Sequence, residues 1–497
     1  MKTVLTARQM RESEKRYFDK GNRSADLMEN AAAELVRTII SVMPSDARTC
    51  AFACGTGGNG GDGYAAARIF ARKGGRAVVV EMGEPSNEDA RQNRKLTENR
   101  VYARINVNDL DKLPKPDVWA DCVFGTGLSR APEGAAAKLI ERMNRDKADG
   151  SKIVSCDVPS GLNADSGETP GVCVNADVTV ALGAYKPGQL LGCGPDFCGQ
   201  LLLKDIGIPD EIYPDEAIRY VEDEDAVKAL PVRNRACYKN QFGHLLIVAG
   251  SRGMAGAAVI TAKAALRSGC GLVTIACPES ILDILQIGVP CAMCEPMPEK
   301  DGAISDAALP KLKKCLEGKT AVAAGPGLSR MVNPKVLKLI MESGIKTVLD
   351  ADALNVIAAH TELYGLFHPN LALTPHPGEA SRLTGLKNAG QMEYAESLSS
   401  VGWKVLIKGA CSVIMGTCTY ISASGCPGMA KGGSGDALTG IVGSLLAQGL
   451  DTETALWAGS QIHGRAGEYA QKKHGVYSML PTDLIEELGE VMKLENA

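Results

Sequence analysis

Aromatic residues make up only 4% of this 497-residue chain, and neither sign of charge dominates: 54 Lys and Arg stand against 58 Asp and Glu, a formal net charge of −4. A dedicated nucleic-acid binder carries a strong basic excess, so that class is set aside. No uninterrupted apolar run reaches the roughly 18 residues of a membrane span. The opening Met1–Arg11 stretch lacks the apolar core of a secretory signal, which predicts a cytoplasmic protein that engages no membrane. No repeat of fixed period links the two halves, so a duplicated domain is not expected. The 16 cysteines are scattered, several inside apolar runs such as Cys54, Cys122 and Cys277, and without an export signal they are expected to be reduced thiols. The single C-x-x-C, Cys291 to Cys294, has no second pair and no spaced histidines, so it is read as neither a metal nor a redox site.

What is present is an ordinary globular balance, 45% hydrophobic and 23% charged, with an abundance of glycine at 55 residues. At about 150 residues per domain, two or three domains are expected. Short apolar runs alternate with helical patterns. Strands are expected at Thr49–Cys54, Ala77–Glu81, Val118–Phe124, Ile153–Asp157 and Val178–Leu182, with a helix over Tyr64–Lys73. Such runs between helices imply parallel strands covered on both faces. Prolines at 209, 214 and 231 and the acidic run Glu222–Asp225 break the rhythm, marking a junction over residues 216–240. Strands then resume at Leu245–Ala249, Leu272–Ala276, Ala321–Ala324, Thr347–Leu349, Leu371–Thr374, Val405–Lys408 and Cys418–Ser422. The expected fold class is therefore α/β in two different domains, 1–215 and 225–497.

After the first strand comes Gly55-Thr56-Gly57-Gly58-Asn59-Gly60-Gly61-Asp62-Gly63. Gly55, Gly57 and Gly60 satisfy G-x-G-x-x-G before a helix, with Glu81 ending the next strand, which alone fits a dinucleotide loop or a tight structural turn. Asn59 and Asp62 are polar groups that a plain dinucleotide loop does not need. Asp121 lies inside an apolar strand ahead of Gly125-Thr126-Gly127-Leu128, and Asp157 and Ser160 follow another strand. Ligands of open parallel sheets bind beyond the carboxyl ends of strands, so these loops are expected to share one crevice. A carboxylate in an apolar strand is costly unless it is hydrogen-bonded or coordinating, and either role fits Asp121.

Together, G-G-N-G-G-D-G, D-C-V-F-G-T-G-L and C-D-V-P-S-G-L resemble the NAD(P)H-hydrate epimerase domain over about residues 1–215. The resemblance implies a Rossmann-like three-layer sandwich that interconverts the C6 epimers of hydrated NAD(P)H. It also implies potassium held by Asn59, Asp121 and Ser160, all hard oxygen donors. By the same analogy the hydrate sits on Gly58, Asn59, Gly60, Gly61 and Asp62, on Gly125, Thr126, Gly127, Leu128, Ser129, Arg130 and Ala131, and on Asp157. Asp157 is the candidate acid/base. Lys186 is either its partner or a solvated loop lysine. Gly58 departs from the family, which more often has Asn there.

In the second half, Gly428-Met429-Ala430-Lys431-Gly432-Gly433-Ser434-Gly435-Asp436 leads into a helical Ile441–Leu446 stretch. Such a loop offers backbone N–H groups to a phosphate, with a carboxylate beside them to take a hydroxyl proton. There is no Walker loop: Gly318-Lys319-Thr320 has only the tail of one. Asp350 and Asp352 are open to a magnesium role or to hydrogen bonding of their loop, and His376 stands in a loop between prolines. A-G-S-R-G-M-A-G-A-A, A-G-P-G-L, H-P-G-E, K-G-A-C-S and P-G-M-A-K-G-G-S-G-D-A-L-T-G resemble the ADP-dependent NAD(P)H-hydrate dehydratase domain of the ribokinase-like superfamily. Cys426 and Ser434 stand where that family often has Asn and Thr. The resemblance places the hydrate on Ala257, Gly327, His376 and Asp436, and ADP on Lys408, Gly409, Ala410, Cys411, Ser412 and Gly435. Asp436 would be the base, with magnesium on the phosphates.

The whole chain thus resembles a bifunctional repair enzyme whose partners are hydrated NADH or NADPH and ADP, assembled as a homo-oligomer. The nearest rival is a small-molecule kinase of the same superfamily, which would release a stable phosphate ester. A nucleotide-sensing protein without turnover would not need Asp62, Asp157 and Asp436 beside its loops. An NAD oxidoreductase would explain nothing after residue 240.

Overall fold

Buried parallel strands frame each half of the chain, which divides into two units, Lys2–Ala217 and Ile218 onward. The computed structural model describes residues 1–128 and 130–493. In the first unit the strands are β1 (Lys2–Val4), β2 (Thr49–Cys54), β3 (Arg76–Glu81), β4 (Ala103–Asn106), β5 (Val118–Cys122), β6 (Lys152–Cys156), β7 (Val178–Leu182) and β8 (Gln200–Lys204). Seven of them form one sheet in the order β4-β3-β2-β5-β6-β7-β8, all pairs parallel. β1 bridges to Tyr185 through Val4.

Residues alternate between two cores, as a period-two strand demands. Phe52, Cys54 and Cys122 pack with Leu35, Ile39 and Tyr64 on one face, while Ala51, Ala53 and Trp119 pack with Leu139, Ile140 and Met143 on the other. Strand order reverses between β2 and β5, so the loops after these two strands open a crevice at the sheet's switch point.

The second unit contains β9 (Ile218–Tyr220), β10 (His244–Val248), β11 (Leu272–Pro278), β12 (Met293–Met297), β13 (Glu299–Lys300), β14 (Ala303–Ile304), β15 (Ala321–Ala324), β16 (Lys346–Leu349), β17 (Leu371–Leu373), β18 (Lys404–Ile407), β19 (Ser412–Met415) and β20 (Thr419–Ser422). Its main sheet runs β9-β20-β19-β18-β17-β16-β15-β10-β11-β12, parallel from β18 to β12 and antiparallel through β18-β19-β20. β13 and β14 form a separate hairpin. Helices Ala255–Arg267, Ser434–Ala447 and Thr452–His474 bury one face with Leu245, Ile247, Ala323 and Val348.

The α/β class stands, with four local corrections. The first helix after β2 spans Gly58–Arg72, so the glycine loop is largely its opening turn and not a loop preceding Tyr64. β5 ends at Cys122, two residues short of Phe124. The edge strands β4 and β8 escape a search for apolar runs because they are only partly buried. The 216–240 junction is partly structured: β9 pairs parallel with β20, and the acidic run begins the Asp223–Lys228 helix. Acidic side chains suit a first helical turn, where they meet unpaired N–H groups and the positive dipole end; Glu222 N donates to Asp225 Oδ2 at 2.9 Å.

Candidate active sites

In the first unit the chain crosses from β2 into the Gly58–Arg72 helix through a close backbone approach at Gly60. A Cβ there would lie 1.9 Å from the Gly55 carbonyl oxygen, so only glycine fits. This turn sets Asn59 on the helix's first turn, where Nδ2 donates to Phe124 O at 2.8 Å. Asn59 Oδ1 is buried with no hydrogen-bond partner. Ser160 joins the same knot: its Oγ accepts from Phe124 N at 2.9 Å and donates to Asp121 Oδ1 at 2.5 Å. Asp121 is fully buried and also accepts from Ser155 Oγ and Ser160 N, each at 2.8 Å. Burial raises its pKa, and the bonds from Ser160 oppose the rise. Asn59, Asp121 and Ser160, distant in sequence, are thus brought together beneath one crevice.

That crevice is a cavity of about 590 Å³ whose lining includes Gly58, Asn59, Asp62, Gly125, Thr126, Gly127, Leu128, Asp157 and Lys186. Gly60 and Gly61 turn inward instead; a Cβ on Gly61 would strike the Met28 side chain. Arg130 and Ala131 lie outside the lining, and Ser129 falls outside the described residues. Asp157 adopts φ +64°, a left-handed conformation that few non-glycine residues hold without support. Support comes from Asp157 N donating to Val180 O at 2.8 Å, Leu182 N donating to Oδ1 at 3.2 Å, and Gln189 Nε2 donating to the backbone oxygen at 2.6 Å.

Lys186 is no solvated lysine. Its side chain is 1% exposed, and Nζ donates to Asp157 Oδ1, to Leu182 O at 2.9 Å and to Ala184 O at 3.0 Å. All three ammonium protons are used, which is what a buried cation requires. Asp62 has the opposite character: burial first, then the charges of Asp157 and Glu14, push its carboxyl well above the usual range.

Glu14 is the residue that motif reading missed. It lines the cavity from the Ala7–Asp19 helix, and burial raises its pKa, with Lys186 opposing. The sequence carried a signal: Ala7, Met10 and Glu14 share the helix's inward stripe, where an acid is out of place.

In the second unit the strand ends converge in the same way. Ser251 Oγ, after β10, donates to Gly327 O at 2.8 Å, after β15. Gly327 adjoins Ala257; a Cβ on it would lie 2.9 Å from the Ala257 Cβ. Thr261 Oγ1 reaches both Ala257 O at 2.9 Å and Asp436 O at 3.1 Å, tying two helices at the site. Gly433 caps the Ser434–Ala447 helix at φ +102°, and a helix start of this kind presents backbone amides that favour an anion. His463, buried and pushed down to about 4, bonds through Nε2 to Ser434 O at 2.9 Å.

Asp350, after β16, is buried; Lys408 Nζ, after β18, donates to its Oδ1 and Thr439 Oγ1 to its Oδ2, each at 2.6 Å. A Cβ on Gly435 would lie 3.2 Å from Lys408 Nζ, so that loop and the helix start adjoin. Burial, then the Asp350 charge, push Asp436 up to about 6, against the pull of Lys408. Asp352 instead accepts from Ser329 N at 2.9 Å, the loop-bonding role.

The 408–412 loop is pinned by Gln391, whose Nε2 donates to Cys411 O at 2.8 Å. Burial pushes the Cys411 thiol up to about 12, so it stays protonated at neutral pH. His376 is the N-cap of the Pro377–Thr384 helix, with Nδ1 accepting from Gly378 N at 3.0 Å. Burial and then Lys408 lower its pKa, which places it within the electrostatic reach of the cluster. Thr261 and Gln391 lay outside the motif-based site because their roles are set by contacts between distant loops, while Asp350, open in sequence to magnesium or to loop bonding, is held instead by the Lys408 and Thr439 side chains.

A family model described as NAD(P)H-hydrate dehydratase matches residues 245–490, and one described as YjeF-related protein N-terminus matches residues 24–188. The bifunctional NAD(P)H-hydrate repair enzyme Nnr of Moorella thermoacetica is 35% identical, covering 94% of this chain and 92% of its own length. Its counterpart in Coxiella burnetii is 32% identical, covering 98% and 99%. Among solved structures, the Bacillus subtilis ADP/ATP-dependent NAD(P)H-hydrate dehydratase crystallised with ATP and Mg²⁺ is 26% identical over 55% of this chain and 97% of its own, with a TM-score of 0.46. The full-length relatives span both units, and with them both clusters of strand-end loops, so the chain belongs to the family of bifunctional NAD(P)H-hydrate repair enzymes.

Proposed function

We propose that this chain repairs hydrated NADH and NADPH in two steps, epimerising the C6 hydrate in the Lys2–Ala217 unit and dehydrating the S form at the expense of ADP in the unit from Ile218 onward. What carries the reading is that two separate acidic clusters, around Asp157 and around Asp436, lie at strand ends in a chain whose near-full-length relatives are named as bifunctional.

In the second unit Asp436 takes the proton of the C6 hydroxyl as that oxygen attacks the β-phosphorus of ADP and AMP leaves. The resulting phosphate is a far better leaving group than hydroxide. Its departure, with loss of a C5 proton, regenerates the reduced ring and releases inorganic phosphate. Amides of Gly432, Gly433 and Gly435 hold the transferring group, while Lys408–Ser412 take the nucleotide. Ala257, Gly327 and His376 form the hydrate side. No described side chains form a ready magnesium cage: both Asp350 oxygens are engaged, and Asp352 holds Ser329 N. Magnesium in this reading arrives on the ADP phosphates, and no step runs through a protein-held ion.

In the first unit Asp157 exchanges the proton of the C6 oxygen, and Lys186 is its positioning partner. Gly58, Asn59, Asp62 and Gly125–Leu128 hold the dinucleotide, with Arg130 and Ala131 reserved for parts that extend past the cavity. The unpartnered Asn59 Oδ1, beside Asp121 and Ser160, is a donor set that fits potassium. Bound there, the ion would supply positive charge beneath the glycine loop. The described residues contain no helix long and apolar enough to cross a membrane. A cytoplasmic homo-oligomer is part of this proposal.

The test is incubation of the full chain with mixed-epimer NADH hydrate, magnesium, potassium and ADP, following near-ultraviolet absorbance. Complete conversion with AMP and phosphate released is expected. A halt at the S fraction would remove the epimerase, and a stable phosphate ester without NADH would put the kinase reading in its place.

A further inference from the structure

Inverting a hydroxyl-bearing carbon beside a ring nitrogen needs no oxidant. The N1 lone pair forms N1=C6 as C6–O breaks, and the departing oxygen takes a proton and leaves as water. Water then adds to the other face of C6, a base accepts its proton, and the lone pair returns to N1. Atoms and charge balance, and the chemistry sets a demand: protons must be exchanged on both faces of the ring. One carboxyl in a fixed position serves only one face.

Asp157 is such a fixed group. Its carboxylate is committed to Lys186 Nζ and Leu182 N, and its backbone is pinned on both sides. Glu14 reaches the same cavity from a different element, the Ala7–Asp19 helix, flanked one turn away on either side by Met10 and Phe18, which also line it. Its carboxyl is half-buried and makes no hydrogen bond to any described residue. A glutamate kept for solubility would lie on the outward face; this one shares the inward stripe with Ala7 and Met10. The charged groups that face it are Lys186, Asp157 and Arg11, and its own charge bears in turn on Asp62. Burial leads these influences and favours the protonated form, which suits an acid that must give a proton to a leaving hydroxyl. Asp62 shares the cavity but belongs to the glycine loop already assigned to the hydrate.

We propose that Glu14 is a second catalytic residue of the epimerisation, exchanging a proton with the C6 oxygen on the ring face turned away from Asp157. This rests on the epimerase reading above.

The test uses the full chain with purified R hydrate, so that NADH appears only after epimerisation, and S hydrate as the control for the second unit. For Glu14→Gln, kcat on R hydrate is expected to fall by about 100-fold or more above the uncatalysed rate. KM is expected to stay within about threefold and S-hydrate turnover to be unchanged. Glu14→Asp keeps the carboxyl and is expected to run at least about tenfold faster than Glu14→Gln, with its alkaline limb displaced. Glu14→Gln within about threefold of the unaltered chain, a loss confined to KM, or Glu14→Asp no faster than Glu14→Gln would each overturn the proposal, the last by pointing to packing alone. If the unaltered chain consumes S hydrate but not R, the epimerase reading fails first and independently.

Discussion

Asp436 is held near pKa 6 by burial and by the neighbouring charge of Asp350. A carboxylate that must take a hydroxyl proton works only when ionised, so dehydration of S hydrate is expected to rise as pH climbs through about 6 and to level off above it. Asp350→Asn removes a repelling charge and frees Lys408 to act on Asp436, and both effects favour the ionised form. The acidic limb of kcat is therefore expected to move to lower pH, with kcat at the plateau reduced about tenfold or more through the mispositioned Lys408. A limb that stays in place in the Asp350→Asn chain would show that Asp350 does not tune the base. Asp157 and Asp436 stood out in sequence because each lies in a glycine- or proline-marked motif at a strand end or helix start, whereas Lys186 stood open between a partner of Asp157 and a solvated lysine. Glu14 did not stand out, since it sits in a helix with no motif; Asp350 did, but its partners Lys408 and Thr439 emerge only once β16, β18 and the Ser434–Ala447 helix meet.

At the scale of elements, the sites are built from strand ends and helix starts, and the tolerance for change at those joints is small. Gly60→Ala would drive a methyl group against the Gly55 carbonyl and force apart β2 and the helix that carries Asn59. The first unit is expected to lose about 3 kcal/mol or more, read as a lower midpoint in thermal or denaturant unfolding, with R-hydrate turnover lost and S-hydrate turnover retained. An unchanged midpoint would mean that the turn relaxes at no cost. The buried central strands were readable almost residue for residue, since being covered on both faces makes them continuous apolar runs, as in β2, β7 and β15. Edge strands were not, because β4, β8 and β12 keep polar residues and partial exposure. Helix starts were misjudged where glycine masks them: Gly58–Gly63 reads as a loop, yet its amides are the first turn of a helix. The acidic run at 222–225 marked a junction in sequence but gave no sign of its helix, since charge that breaks an apolar rhythm also favours a helix N-terminus.

Across the whole molecule, each unit has its own buried core and its own strand-end cluster. A product released by one unit therefore needs no shared residue to become the substrate of the other. The most direct test of this division is complementation with R hydrate, ADP, magnesium and potassium. The Asp157→Asn chain should consume S hydrate but not R, and the Asp436→Asn chain should form no NADH from either. Mixed together, the two variants are expected to convert R hydrate fully, well above the uncatalysed epimerisation rate, because each supplies the step the other lacks. A mixture no faster than the variants alone, or R-hydrate turnover by the Asp157→Asn chain by itself, would contradict the account of two independent acid sites in one chain.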